Sequence, residues 1–283
     1  MVRCNSIMIV PCVLVIAASI KIGCRHEAER ETAVPVAKSV YFHHQHPGLG
    51  KVLRKVSDGF GMVDYEALKK DQSALETYLN LTASVPPVQF DGWTRPQRMA
   101  FLINVYNAST LNLMADNFPV KSIKDIGGVR RVWNLKVVRL FGEKYTLGHL
   151  ENVLIRKQFK SPSVHFALVC GSRSCPPLRK EPYTAEKLED QFANQAQAFL
   201  RDSKKNYVDL DSKTIFLSPV FSWFREDFGK TDAEIIALVI EHFEATEQEA
   251  LLKGGFKIDY TKFDWSVNQS SKEKELAPKT GTR

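Results

Sequence analysis

Between His165 and Leu178 the sequence gathers groups that could do covalent chemistry: His165, Cys170 and Cys175, a Gly-Ser-Arg-Ser loop between the cysteines, and Pro176-Pro177 stiffening the exit. Three readings stay open. In an oxidising compartment two thiols this close pair as a disulfide across the tight loop. A metal site has an allowed spacing but lacks a second pair of soft ligands in the chain. A nucleophilic site would make Cys170 or Cys175 a thiolate, lowered in pKa by His165, with Asn104 or Asn107 orienting the ring.

Asn104 and Asn107 stand out because asparagine prefers caps and turns to helix interiors, yet here both interrupt an apolar helical run. Two buried amides must both find partners. They either pin a neighbouring loop or face a polar cleft, where they would orient a catalytic side chain or bind a substrate carbonyl. Glu151 falls beside the stripe Leu147, Leu150 and Leu154. It is a buried ion-pair partner, a general base, or the group that orients His165; the sequence does not choose. Trp133, Trp223 and Trp265 read as core or core-edge aromatics. A Gly-rich phosphate loop, a Gly-x-Ser-x-Gly elbow and a His-Glu-x-x-His pair are all missing, which weakens nucleotide hydrolysis, serine esterase and zinc protease readings. Nothing in the sequence calls for a cofactor or a resident metal.

The elements that must position these groups follow from pattern. Asp64 to Leu81 has the spacing of one amphipathic surface helix. Thr94 with Gln97 forms a capping-box start, with Pro96 tolerated in the first turn, and Asn117-Phe118-Pro119 ends that run. No charge appears between Met99 and Ala115, and a helix apolar all round is a buried one. Residues 132–147 read as a hairpin turning around Gly142-Glu143-Lys144, after which Thr146 caps a helix carrying Glu151. Val164 to Cys170 reads as a buried strand, Leu188 to Leu200 as a helix, and Thr214 to Leu217 as a strand. Thr231 with Glu234 opens another capped helix, and Phe256 to Tyr260 alternates as a strand. The irregular order favours an α+β domain over a doubly wound sheet: a buried central helix packed on a small, largely antiparallel sheet.

With 283 residues, 44% hydrophobic and 10% aromatic, the chain is too ordinary for a disordered or disulfide-scaffold protein. Arg3, an apolar run of 14 residues from Ile7 to Ile20, and Lys21-Ile22-Gly23-Cys24 follow the order of a signal peptide, the run being shorter than the ~20 residues of a membrane-spanning helix. Ala17-Ala18-Ser19 suits ordinary cleavage, while Ile22-Gly23-Cys24 resembles a lipobox in which Cys24 is lipidated. The division is therefore residues 1–23 as signal peptide, 24–47 as flexible tether, 48–267 as globular domain and 268–283 as polar tail. His43, His44 and His46 fall in the tether, where they make a poor metal cage. The formal charge of +7 is local: residues 121–160 hold 10 basic and 3 acidic residues, so the remainder is balanced. That stretch is a solvated face or a docking surface for anionic envelope material. No specific nucleic-acid binding is expected.

The chain resembles the family known as domain of unknown function 547. The resemblance is carried by Val63-Asp64-Tyr65, Ala100 to Ala108, Ser122 to Asp125, Leu147 to Arg156, His165 to Leu178, Leu217-Ser218 with Phe221, Trp223 and Asp227-Phe228, and Tyr260 to Asn268. Where the family follows its glutamate with histidine, this chain has Asn152, with His149 two positions before Glu151. The resemblance implies an α+β fold, similar in outline to papain-like and transglutaminase-like proteins, and no established activity. In those folds a nucleophilic cysteine opens the buried helix, and none lies near Thr94 to Asn107. The expectation is an exported bacterial member, lipid-anchored or periplasmic. Its polar cleft would be a hydrolase or acyl-transferase site using Cys170 or Cys175, His165, Glu151 and an asparagine, or a non-catalytic binding or scaffolding surface in which the same residues form a structural network.

Overall fold

The structure, a computed structural model, describes residues 39–128 and 131–270. The signal-peptide and Cys24 readings, the tether before residue 39 and the tail beyond Ser270 lie outside the described residues. The tether reading does not hold for its last residues: Phe42 and His46 are buried, and Nδ1 of His46 lies 2.8 Å from the Tyr78 hydroxyl. At the other end, Asn268 is buried, and the Val63 N–H donates to its carbonyl. Packed chain therefore extends past both expected limits.

Helices α1 (Pro47–Val56), α2 (Tyr65–Lys70), α3 (Ser73–Ala83), α4 (Pro87–Asp91) and α5 (Arg95–Asn117) form the first half. The single helix expected over 64–81 is two. Asp71 is extended, and its carboxylate accepts from the Ser73 N–H and hydroxyl, a local bond that competes with the helix. The capping box at Thr94 and Gln97 is present, and every residue from Met99 to Leu111 is buried. This central helix packs against α2, α3 and the segment that carries Glu151.

The expected hairpin is shorter than its apolar run. Val132–Asn134 is a 3-10 turn, and only β1 (Val138–Leu140) and β2 (Glu143–Tyr145) pair, antiparallel. Next, α6 (Leu147–His149), a π-helix (Leu150–Arg156) and α7 (Lys157–Phe159) run on continuously. After α8 (Val164–Ala167) and α9 (Leu188–Leu200) comes a three-stranded sheet of β3 (Tyr207–Asp209), β4 (Thr214–Leu217) and β5 (Lys257–Tyr260). In it β3 and β4 are antiparallel, and β4 and β5 are parallel. Helices α10 (Val220–Trp223), α11 (Arg225–Phe228), α12 (Asp232–Val239) and α13 (Ala245–Leu252) fill the crossover between β4 and β5.

The fold is α+β, with helices predominating. Two hydrophobic cores form, a larger one around α5 and a smaller one joining the three-stranded sheet to α9, α10 and α12. The partly buried Trp265 packs against both. Among the described residues, no helix is long and apolar enough to cross a membrane.

Candidate functional site

Where the two cores meet, a cleft of about 790 Å³ opens, within the size range that takes a small molecule. Glu151, His165, Cys170 and Cys175 all line it, together with Tyr106, Trp133, Trp223 and Trp265. Asn104 and Asn107 do not. Each serves as a backbone clamp instead: Asn104 donates to the Tyr183 carbonyl and accepts from its N–H, at 2.7 and 2.9 Å. Asn107 does the same for the Ala167 carbonyl and the Val169 N–H, at 2.9 and 3.0 Å.

The Asn107 bonds explain why the strand expected from Val164 to Cys170 is absent. Pro162 and Ser163 start a turn that becomes the single-turn helix α8, and the extended residues after it receive from one amide side chain the bonds a neighbouring strand would supply. His165 thus enters the cleft from a helical turn, held on a backbone that α5 fixes.

The π-helix positions the carboxylate. With i→i+5 bonding each turn takes in more residues, so residues five apart, which an α-helix sets about 140° apart, swing toward one side; Leu150 and Ile155 are buried while Leu154 is only partly covered. Glu151 and Arg156 are likewise brought to one side. The Glu151 side chain is buried, with residual exposure of 8%, and accepts from the Tyr106 hydroxyl at 3.2 Å. Burial pushes its carboxyl up to about 7, against the lowering effect of Tyr106 and Arg156; nearby Asp227 adds to the rise.

His165 is oriented not by an asparagine but by Asp227, 62 residues further on. Its Nε2 lies 2.6 Å from Asp227 Oδ2, and the Arg156 Nε lies 2.5 Å from the same oxygen. The imidazole stacks on Phe224, with ring centres 4.2 Å apart, and the Arg156 guanidinium sits 4.6 Å from that ring. Burial lowers the imidazole to about 4 despite the carboxylate beside it. Burial also pushes the Asp227 carboxyl up, but the Arg156 and His165 bonds outweigh this and leave it below the usual carboxylate range. At neutral pH the pair is therefore a neutral imidazole donating Nε2–H to a carboxylate, which leaves Nδ1 as a bare acceptor.

The cysteines form a disulfide, Cys170–Cys175. In this form neither sulfur is a nucleophile, and a thiolate would require the bond to be reduced. Between them Gly171 takes φ +76°, with Met114 and the Tyr65 hydroxyl 3.2 Å from where a Cβ would sit, so both conformation and space require glycine. The loop backbone ties down the C-terminal segment. Arg173 N–H donates to Ser266 O, Ser174 N–H to Asp264 O, and Asn268 N–H to Gly171 O. That segment carries Phe263 and Trp265 into the cleft wall.

Residues 90–200 match the family described as a protein of unknown function, DUF547. The match supports the resemblance drawn from the sequence. The DUF547 segment takes in α5, the π-helix, α8 and the disulfide loop, hence Asn104, Asn107, Glu151, His165, Cys170 and Cys175. Asp227, Trp223 and Trp265 lie beyond it, so the cleft joins the DUF547 segment to later chain. No curated protein and no solved structure matches. Among the described residues, no cluster of His, Cys, Asp or Glu has the geometry to hold a metal ion.

Sequence reasoning gave no role to Asp227 or Tyr106, and it placed Trp223 in or beside the core, whereas 48% of that residue is exposed. The one signal for Asp227 was its place in the family pattern. No local periodicity connects it to His165.

Proposed function

We propose that the cleft is the active site of a hydrolase that cleaves an ester or amide with water as the nucleophile, His165 as general base and Glu151 as general acid. The observation that carries this is the pairing, in one cleft, of an Asp227-anchored neutral imidazole with a buried carboxyl raised to about 7. At neutral pH the imidazole is unprotonated and able to accept a proton, while the raised carboxyl still holds one in part of the molecules and can give it. Water replaces the cysteine nucleophile because both sulfurs are bonded to each other. In the reaction the water oxygen bonds to the carbonyl carbon as Nδ1 of His165 takes its proton. The bond to the leaving oxygen or nitrogen breaks as Glu151 gives that atom a proton. The products are a carboxylic acid and an alcohol or amine, and solvent carries the proton from His165 back to Glu151.

The test is turnover of p-nitrophenyl acetate and butyrate and of the corresponding anilides by the wild type, H165N and E151Q. Wild-type turnover is expected, with a loss of about 10²- to 10⁴-fold in each variant. Turnover that survives in both variants, or a wild type that cleaves none of the four, would return the cleft to the role of a binding or scaffolding surface.

We further propose that the protein is exported and anchored through Cys24. Two features support this: the basic, apolar, cysteine order of residues 3–24, and a disulfide, which persists in oxidising compartments. Mass spectrometry of the mature chain should find a lipidated N-terminus at Cys24. An unmodified chain starting near Ile20 would remove the anchor, and retention of Met1 would remove export.

A further inference from the structure

One wall of the cleft is a stack of rings whose outermost member is left half bare. Trp223 lies on Trp265 with centres 5.4 Å apart and planes at 25°. Trp265 is backed by Phe263 at 4.4 Å and by the edge contact of Trp133 at 5.9 Å. Side chains held this way present a flat, fixed surface at little entropic cost. The catalytic pair does not use this surface.

Two cations line the cleft, Lys124 and Arg131. Lys124 places its ammonium 3.8 Å from the centre of the Trp265 ring. Both cations are exposed, and among the described residues neither has a carboxylate within ion-pair distance. The carboxyl group that lines the cleft, Glu151, accepts from Tyr106, and Asp227 behind His165 is engaged with that imidazole and Arg156.

We propose that this wall binds an acidic saccharide, with the apolar face of one sugar ring laid on Trp223 and its carboxylate or phosphate directed to Lys124 and Arg131. A pyranose offers axial C–H bonds to a ring face and keeps its equatorial hydroxyls in water, which suits an indole covered on one side only. An apolar chain would leave half its surface wet there, and the unpaired cations call for an anion. The volume of about 790 Å³ gives room for such a ring and a substituent reaching His165 and Glu151. The substrate class is then an acidic saccharide bearing an acyl ester or amide, which rests on the hydrolase reading of the same cleft.

The experiment is a tryptophan-fluorescence titration of the full chain, as wild type and E151Q, with trigalacturonate, 3'-sialyllactose and glucosamine 6-phosphate. Maltotriose serves as the neutral control and AMP as the stacking anion that is not a saccharide. Saturable binding of at least one acidic saccharide is expected, about tenfold or more tighter than maltotriose. W223A should weaken it by a similar factor, and K124Q should erase the preference for the acid without abolishing binding. No saturable response to any of the three, a response unchanged in W223A, or tighter binding of AMP would overturn the proposal. Ester turnover without saccharide binding would remove this inference and leave the hydrolase reading standing. Saccharide binding by wild type and E151Q without turnover would do the reverse.

Discussion

Asn107 shows how far a single residue could be read. Two asparagines inside an apolar helix had to be satisfied, and that much followed from residue type alone. What they hold did not follow, because Ala167, Val169 and Tyr183 are reached only through the fold. Replacing Asn107 by alanine would leave a buried carbonyl and a buried N–H without partners. At ~1–3 kcal/mol for each of the two groups, N107A should lose about 2–6 kcal/mol in urea unfolding, with the backbone around His165 loosened. A loss below about 0.5 kcal/mol would mean that the clamp is not structural. Glu151 was legible as a carboxyl beside an apolar stripe, but its raised pKa comes from burial in the folded molecule, which outweighs the lowering bond from Tyr106. The role of Asp227 was not legible beyond its place in the family pattern, because a hydrogen bond between residues 62 apart leaves no local trace.

At the level of elements, legibility followed the range of the signal. Capping boxes at Thr94 and Thr231 act over three residues, and both are found where expected. The helix Leu188–Leu200 and the strand Thr214–Leu217 have the expected bounds. The failures come where a long-range bond or a single local one replaces the regular ladder. Asp71 breaks the helix pattern by bonding Ser73, and Asn107 stands in for the strand partner of residues 167–169. The π-helix was hidden because Leu147, Leu150 and Leu154 fit an ordinary α-helical stripe. Only the burial of Ile155 in place of Leu154 shows the added residue. That change brings Arg156 to the side of Glu151 and onto Asp227, so the irregular turn couples the proposed acid to the proposed base.

For the molecule as a whole, the cleft exists because two cores close on it from opposite sides, with Trp265 packed against both and the disulfide loop fastening the C-terminal segment in place. The α+β class and a cleft containing Glu151, His165 and the cysteines could be reasoned from the sequence. The aromatic wall and the Asp227 anchor needed the chain beyond residue 200 to be folded back. If Glu151 and His165 work as an acid–base pair, their two pKa values set the pH dependence of ester turnover. The base needs His165 without its proton, so the rate should rise as pH climbs through about 4. The acid needs Glu151 with its proton, so the rate should fall as pH passes about 7. In E151Q the falling limb should vanish and leave a slower rate, flat above the first inflection. A falling limb that persists in E151Q, or a wild-type rate that keeps rising beyond pH 7, would rule out Glu151 as the acid.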